Sequence, residues 1–250
     1  MRVVLTFKNS EYIKRIEREY IRNWIYNCLR GTKWMFYHDK PRYKHFSYSN
    51  LFPFDKAGAV YGDFKLIISS PYDGIPRTIE ERATETTVKF GDYIFEVASV
   101  GILHAPAVIE AIETATPVMF RFFRTRLYDA EESGKRHYAF WNEGENLDMF
   151  VSMFHRNLQR RYQDFLMESS MIGEKLKGYT PVELGDDTLF STYTYRKTIF
   201  GWDKHNLGTM WRFGIKPEYQ QSPIVRYLYD AGAGERTASS GSGFMNIVKK

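Results

Sequence analysis

Between Tyr37 and Ser49 the chain crowds proton carriers and cations into one short stretch, Tyr37-His38-Asp39-Lys40-Pro41-Arg42-Tyr43-Lys44-His45-Phe46-Ser47-Tyr48-Ser49. Histidine titrates closest to neutral pH and is the commonest general acid or base. His38, with Lys44 six residues on, joins a proton carrier to a fixed cation, and His45 offers a second proton carrier beside Lys44. Such a set suits a reaction in which a proton moves while negative charge builds on a phosphate. Upstream, Arg22, Tyr26 and Arg30 recur at four-residue steps. On a helix that spacing puts all three in one row, almost opposite the apolar stripe. The expectation is a Tyr26 phenol facing outward between two cations, which favour phenolate and bind phosphate.

The second cluster lies near the C-terminus, in Ala231-Gly232-Ala233-Gly234-Glu235-Arg236-Thr237-Ala238-Ser239-Ser240-Gly241-Ser242-Gly243-Phe244. It leaves a predicted helix and enters the last strand, so it fits neither a strand-to-helix phosphate loop nor a dinucleotide fingerprint. The expectation is a mobile loop, poor in side chains, whose backbone N–H groups can approach a phosphate chain beside Arg236. Arg156 and Arg160 sit on the polar face of a predicted long helix, where they suit phosphate contact or simple solvation. Metal chemistry has less to build on. The six histidines include no His-x-x-x-His pair, and the single cysteine, Cys28, excludes both an internal disulfide and a thiolate cluster. Gly185-Asp186-Asp187 carries paired aspartates, but adjacent strand residues face opposite ways, so it reads as a turn. No metal site and no cofactor are expected.

These groups need elements to hold them. Val3–Lys8 is rich in β-formers, and Ile13, Ile16, Tyr20, Ile21, Trp24, Ile25 and Cys28 fall at three- and four-residue steps, predicting a helix over Glu11–Leu29 closed by Gly31. Short strands are predicted at His45–Tyr48, Ala57–Tyr61, Phe64–Ser69 and Tyr93–Leu103, with a helix around Ile79–Thr86. That is the strand, helix, strands, helix, strand order of a ferredoxin-like unit. A strand over Pro117–Phe123 opens a second such unit. A helix over Glu145–Met167 follows, with the stripe Leu147, Val151, Phe154, Leu158, Tyr162 and Phe165, then an alternating strand around Thr209–Ile215 and a helix with Pro223 at its first position. The fold class is α+β, two tandem ferredoxin-like domains, over residues 1–112 and 113–250. A net charge of +5 with 17% aromatic residues suits an anionic, planar partner such as nucleic acid. No apolar run reaches the roughly 20 residues of a membrane span, and the first residues turn charged too early for a secretory signal, so a cytoplasmic location is expected.

Trp24-Ile25-Tyr26-Asn27 on the first helix, His38 and Lys44 ahead of Phe46-Ser47-Tyr48-Ser49, and the C-terminal Gly-x-Gly loop resemble, in order and spacing, the CRISPR-associated repeat-RNA endoribonucleases, the Cas-six family of the RAMP superfamily. The resemblance implies metal-independent cleavage of precursor CRISPR RNA within each repeat. The 2′-hydroxyl attacks the adjacent phosphorus, giving a 2′,3′-cyclic phosphate and a 5′-hydroxyl. By carry-over, Tyr26 and His38 share the general base and acid work in an order left open, and Lys44 stabilises the phosphorane. Gly232, Gly234, Gly241 and Gly243, with Arg236, Arg22, Arg30, Arg156 and Arg160, are the RNA-binding set. The loop departs from the family pattern: Ala233 and Ser242 stand where a bulky apolar residue is usual, and Glu235–Ser240 makes six spacer residues rather than five. The same resemblance admits a noncatalytic RAMP subunit that binds repeat RNA in an effector complex. A homodimer and other effector subunits are the protein partners it suggests. A metal-dependent enzyme using Asp186 and Asp187 is a distant third reading.

Overall fold

The computed structural model describes the chain apart from residues 36–42, 56–57, 86, 124–137, 142–145, 175, 177, 183, 185–187, 201–206, 236 and 249–250. In the first unit, strand β1 (Arg2–Lys8) sends Val3, Leu5 and Phe7 to one face, where all three are buried. Against that face lie helices α1 (Arg18–Leu29) and α2 (Gly74–Glu85), which bury Ile21, Trp24, Ile25 and Leu29 from one and Ile75, Ile79 and Ala83 from the other. The remaining strands of this unit are β2 (Tyr12–Ile13), β3 (Ser47–Tyr48), β4 (Val60–Tyr61), β5 (Phe64–Ser69), β6 (Val88–Phe90) and β7 (Tyr93–Leu103). β1 pairs antiparallel with β5, from Arg2 opposite Ser69 to Phe7 opposite Phe64, and on its other edge with β7. The sheet order is β3-β5-β1-β7-β6.

The second sheet repeats this layout with β8 (Ala111–Thr114), β11 (Phe190–Phe200), β12 (Leu207–Ile215) and β13 (Met245–Ile247), in the order β11-β12-β8-β13. β9 (Arg121–Phe123) and β10 (Tyr138–Phe140) pair separately. Helices α3 (Leu147–Met171) and α4 (Pro223–Ala231) complete the unit, with a short α5 (Thr237–Ser240) before the last strand. Taking β1, β3, β5, β7 and then β8, β11, β12, β13 as strands one to four, both sheets read two, three, one, four across. With helices after the first and third strands, each is a ferredoxin-like βαββαβ unit. The core is aromatic. Phe150 stacks on Trp211 at 4.2 Å, Trp141 lies 5.1 Å from Trp211, and Phe154 reaches Phe190 and Phe213.

Two expected elements are relocated by strand pairing. The helix predicted from Glu11 begins only at Arg18, because Tyr12 and Ile13 pair with Tyr61 and Val60; the apolar spacing of residues 13 to 20 matched a helix, but a partner strand claimed the backbone. The strand predicted over Pro117–Phe123 is not the first strand of the second sheet. That place belongs to Ala111–Thr114, hydrogen-bonded on both edges, while Val118 only bridges to Thr209. Proline has no N–H to give a central ladder. Phe64–Ser69, Tyr93–Leu103 and the helix opening at Pro223 lie where predicted. No helix among the described residues is long and apolar enough to cross a membrane.

Trp211 is 1% exposed and meets the rings of Trp141, Phe150, Tyr195 and Phe213. Truncating it in Trp211→Ala should cost about 3–5 kcal/mol of stability, read as a lower urea midpoint at unchanged slope.

Candidate active site

Tyr26 occupies the side of α1 nearest the segment that enters β3. Its ring is half-buried and meets Phe46 edge-on, at 5.8 Å and 77°. This corrects the outward placement expected from the helical wheel: the wheel orders residues around α1 but carries no information on what docks across it. Burial pushes the Tyr26 phenol up from the ordinary tyrosine range, and the Arg22 charge opposes this only in part. The phenol is therefore neutral at neutral pH, suited to giving and accepting hydrogen bonds rather than to acting as a phenolate. Arg22 and Arg30 flank it as expected in sequence, yet each is engaged on the helix surface. Arg22 reaches Glu19 at 3.1 Å and Asn23 at 3.2 Å, and Arg30 reaches Asn27 at 2.9 Å.

Lys44 is half-buried two residues before Phe46, so the chain brings the Lys44 backbone to the neighbourhood of Tyr26. His38 lies outside the described residues, as do Arg236, Asp186 and Asp187. His45, which in sequence competes with His38 as a proton carrier, is fully buried. Its Nδ1 is 2.7 Å from the Tyr227 hydroxyl, and its ring sits among Tyr72, Phe165 and Tyr227. A histidine so enclosed is not available to a surface substrate. Cys28 is buried too, and its thiol is pushed up to about 12 by desolvation, which leaves it a poor nucleophile. Arg156 and Arg160 are exposed on α3, the placement their spacing predicted.

The glycine-rich segment is not the open, mobile loop expected from its composition. Gly232, Gly234, Gly241 and Gly243 are all buried, and the backbone around them is committed to protein contacts: Ala233 N donates to Gly243 O at 3.0 Å, Gly243 N to Pro117 O at 2.8 Å and Glu235 N to Met119 O at 2.9 Å. At Gly243, φ is +67° and a Cβ would stand 1.8 Å from Ala233 O; at Gly241, φ is +60° and a Cβ would stand 2.7 Å from Tyr48 O. Here the absent side chains let backbone meet backbone. Ser239 is exposed and Glu235 and Ser240 are half-buried, so what the loop shows to solvent lies in its spacer.

The groups that hold this segment are arginines that belong to no sequence motif. Arg161, 1% exposed on α3, donates Nη1 to Gly232 O at 2.9 Å and Gly234 O at 3.2 Å, and Nη2 to Ala231 O at 3.0 Å and Thr237 Oγ1 at 3.3 Å. Arg2 of β1 donates Nη2 to Tyr229 O at 2.7 Å and Met245 O at 2.5 Å, with its guanidinium 3.4 Å above the Tyr229 ring. Arg18 of α1 reaches Ser240 O and the Asn50 side chain. One signal for Arg161 was present: it falls between Leu158, Tyr162 and Phe165, inside the apolar stripe.

No protein-family model matches the chain. It is 25% identical to CRISPR-associated endoribonuclease Cas6 2 of Methanocaldococcus jannaschii, over 100% of this chain and 99% of that protein. It is 27% identical to CRISPR-associated endoribonuclease Cas6 of Haloferax mediterranei, over 92% of this chain and 86% of that protein. Among solved structures, a CRISPR-associated protein Cas6 superposes with a TM-score of 0.67 at 18% identity, covering 100% of this chain and 99% of its own. A Cas6-related protein from Pyrococcus furiosus gives 0.66 at 16%, with the same coverage. A structure described as an RAMP protein binding different RNA substrates gives 0.63 at 17%, covering all of both chains. At these identities the superpositions speak for the fold alone, tandem ferredoxin-like units.

Arg161→Met should destabilise the protein by at least about 3 kcal/mol, since it strands several buried carbonyls at about 1–3 kcal/mol each. Arg156→Ala, one and a half turns away on the solvent side, should change stability by less than about 0.5 kcal/mol. Urea unfolding of the two variants side by side checks the contrast.

Proposed function

From the resemblance of this chain to the Cas6 endoribonucleases of the RAMP superfamily, which runs from end to end, we propose that it is an endoribonuclease that cleaves precursor CRISPR RNA within its repeats, without a catalytic metal. The observation that carries this is the full-length likeness to a curated Cas6 protein, 100% of one chain against 99% of the other. The proposed catalytic residues belong to the unit of residues 1–112, and the proposed RNA-binding loop to residues 113–250.

In the proposed step the RNA 2′-oxygen, its proton passing to solvent water, attacks the adjacent phosphorus as the bond from phosphorus to the 5′-oxygen breaks, giving a 2′,3′-cyclic phosphate and, once the departing oxygen is protonated, a 5′-hydroxyl. A Tyr26 phenol kept neutral by burial suits the task of orienting the 2′-hydroxyl. His38 delivers a proton to the departing 5′-oxygen, and Lys44 offsets the charge that builds on the phosphorane oxygens. Arg22, Arg30, Arg156 and Arg160 supply cations for the RNA backbone, with Arg236 and the exposed spacer of the glycine-rich loop as the further contact. Binding that uses several such cations weakens as salt rises, with a slope of about −0.7 per contacted phosphate for a single strand.

The test is incubation with the host's repeat RNA in excess EDTA, followed by analysis of the product ends. A single cut leaving a cyclic or 3′ phosphate is expected. His38→Ala should lose about 10²–10⁴-fold in rate while binding RNA normally. One 2′-deoxy substitution at the cut site should stop cleavage with little change in affinity. Binding without cutting would favour a noncatalytic RAMP subunit instead, and cutting only with added magnesium would point to Asp186 and Asp187.

A further inference from the structure

Behind Lys44, three ligand-bearing side chains converge where the two units meet. His45 comes from the segment entering β3; Asp164 and Glu168 stand one turn apart on α3 and so share a face. His45 Nε2 is 3.3 Å from Asp164 Oδ2 and 3.2 Å from Glu168 Oε2, and one ligand atom from each of the three residues lies within 4.8 Å of the others. His45 has 0% and Glu168 2% side-chain exposure, while Asp164, at 25%, opens the cluster to solvent. Among the described residues, the only ion pairs of the two carboxylates are with this histidine.

The hydrogen bonds around the cluster leave it electron-rich. The Tyr227 hydroxyl donates to Arg161 O at 3.2 Å, so toward His45 it accepts, and the imidazole gives its Nδ1 proton at 2.7 Å. That directs the Nε2 lone pair at the carboxylates. Nε2 makes no hydrogen bond of acceptable geometry to either of them, and Asp164 Oδ2, which faces it, is likewise buried without a hydrogen-bond partner. Glu168 Oε2, the other oxygen facing Nε2, accepts a long hydrogen bond from the Tyr72 hydroxyl at 3.4 Å, and Glu168 Oε1 is unpartnered. Donor atoms facing one another in this way call for a cation between them. Four ligands about 2.0–2.1 Å from a tetrahedral ion stand about 3.3 Å apart, which is the spacing of Nε2 from both carboxylates. A histidine that gives its second ring N–H to a neighbouring oxygen is also the usual second-shell arrangement for a metal ligand.

We propose that His45, Asp164 and Glu168 bind a divalent first-row transition ion of the zinc class, as a structural site joining the two units. One imidazole with two carboxylates suits such an ion better than calcium, which takes six to eight oxygens, or magnesium, which keeps most of its water. The site is separate from the proposed RNA chemistry. It tethers the backbone next to Lys44 to α3, with Tyr72, Phe165 and Tyr227 enclosing the histidine ring.

The test uses the full, tag-free chain stripped with chelator and then desalted. Zn²⁺ is titrated by calorimetry, Co²⁺ by its visible absorption, and metal content is read by mass spectrometry. One Zn²⁺ per chain is expected, with the intense absorption of four-coordinate Co²⁺, a rise in Tm on adding Zn²⁺, and no displacement by millimolar Mg²⁺. Asp164→Asn and Glu168→Gln should each weaken Zn²⁺ binding by at least about tenfold. Asp164 is partly exposed, so its variant tests the site even where loss of the buried Glu168 carboxylate disturbs folding. Binding far below one equivalent, a six-coordinate Co²⁺ spectrum, or an Asp164→Asn protein that binds Zn²⁺ like the parent would overturn the proposal and leave a proton on Nε2 as the cation. None of these readouts uses RNA, so they stand apart from the fate of the proposed cleavage activity.

Discussion

Buried guanidinium groups hold the stretch from Tyr229 to Met245, Arg161 from within the second unit and Arg2 from the first. Arg161 takes three carbonyls and a hydroxyl of that stretch, and Arg2 takes the carbonyls at its two ends. Taking a guanidinium out of water is costly unless its donors are met by well-placed acceptors. Desolvation drags the Arg2 pKa down to about 10, still high enough for the group to be charged at neutral pH. The acceptors are backbone carbonyls because the glycines let the chain fold back on itself at backbone contact distance. The arginines and the glycines are therefore one device: neither the donors nor the tight loop makes sense without the other.

From that anchor the position of the candidate active site follows. Arg18 ties α1 to Ser240, Tyr48 of β3 donates back to Arg18 O at 3.2 Å, and Thr116 donates to Gly241 O at 2.6 Å. The helix carrying Tyr26, the strand that follows Lys44 and the loop from the second unit are thus fastened to one another. The proposed cleavage needs side chains placed within a fraction of an ångström of the phosphate, and fastening of this kind would set their relative placement before substrate arrives. The half-buried Tyr26 and the fully buried Phe46 beneath it belong to the same construction.

What was legible in the sequence was what local pattern can encode. The β character of Phe64–Ser69 and Tyr93–Leu103 marked those strands, and Ser222-Pro223 marked the start of α4. What pattern could not give was the identity of distant partners. Tyr12 and Ile13 read as helix until Tyr61 and Val60 are brought beside them, and Tyr26 reads as exposed until Phe46 covers it. His45 and Arg161 show the same limit in chemical form. A histidine beside a lysine suggested surface proton transfer, yet its neighbours in space are Tyr227, Asp164 and Glu168, more than a hundred residues away. Arg161 sat in plain view within an apolar stripe, but a charge there signals a buried partner only once that partner is seen.

The departures of the glycine-rich loop from the pattern of the family it resembles become intelligible in the same terms. Ala233 and Ser242 replace the bulky apolar residues usual inside each Gly-x-Gly, and they are 3% and 1% exposed. Ala233 shares a backbone hydrogen bond with Gly243, and Ser242 pairs its hydroxyl with Ser240 at 2.7 Å. With Gly243 already at contact distance from Ala233 O, larger residues at these two places would drive the two arms of the loop apart and pull its carbonyls from Arg161. Small residues there are thus the counterpart of a loop drawn tightly onto buried donors. In the proposed function, contact with RNA would then fall to the spacer between the glycine pairs, where Ser239 is exposed, rather than to the glycines themselves.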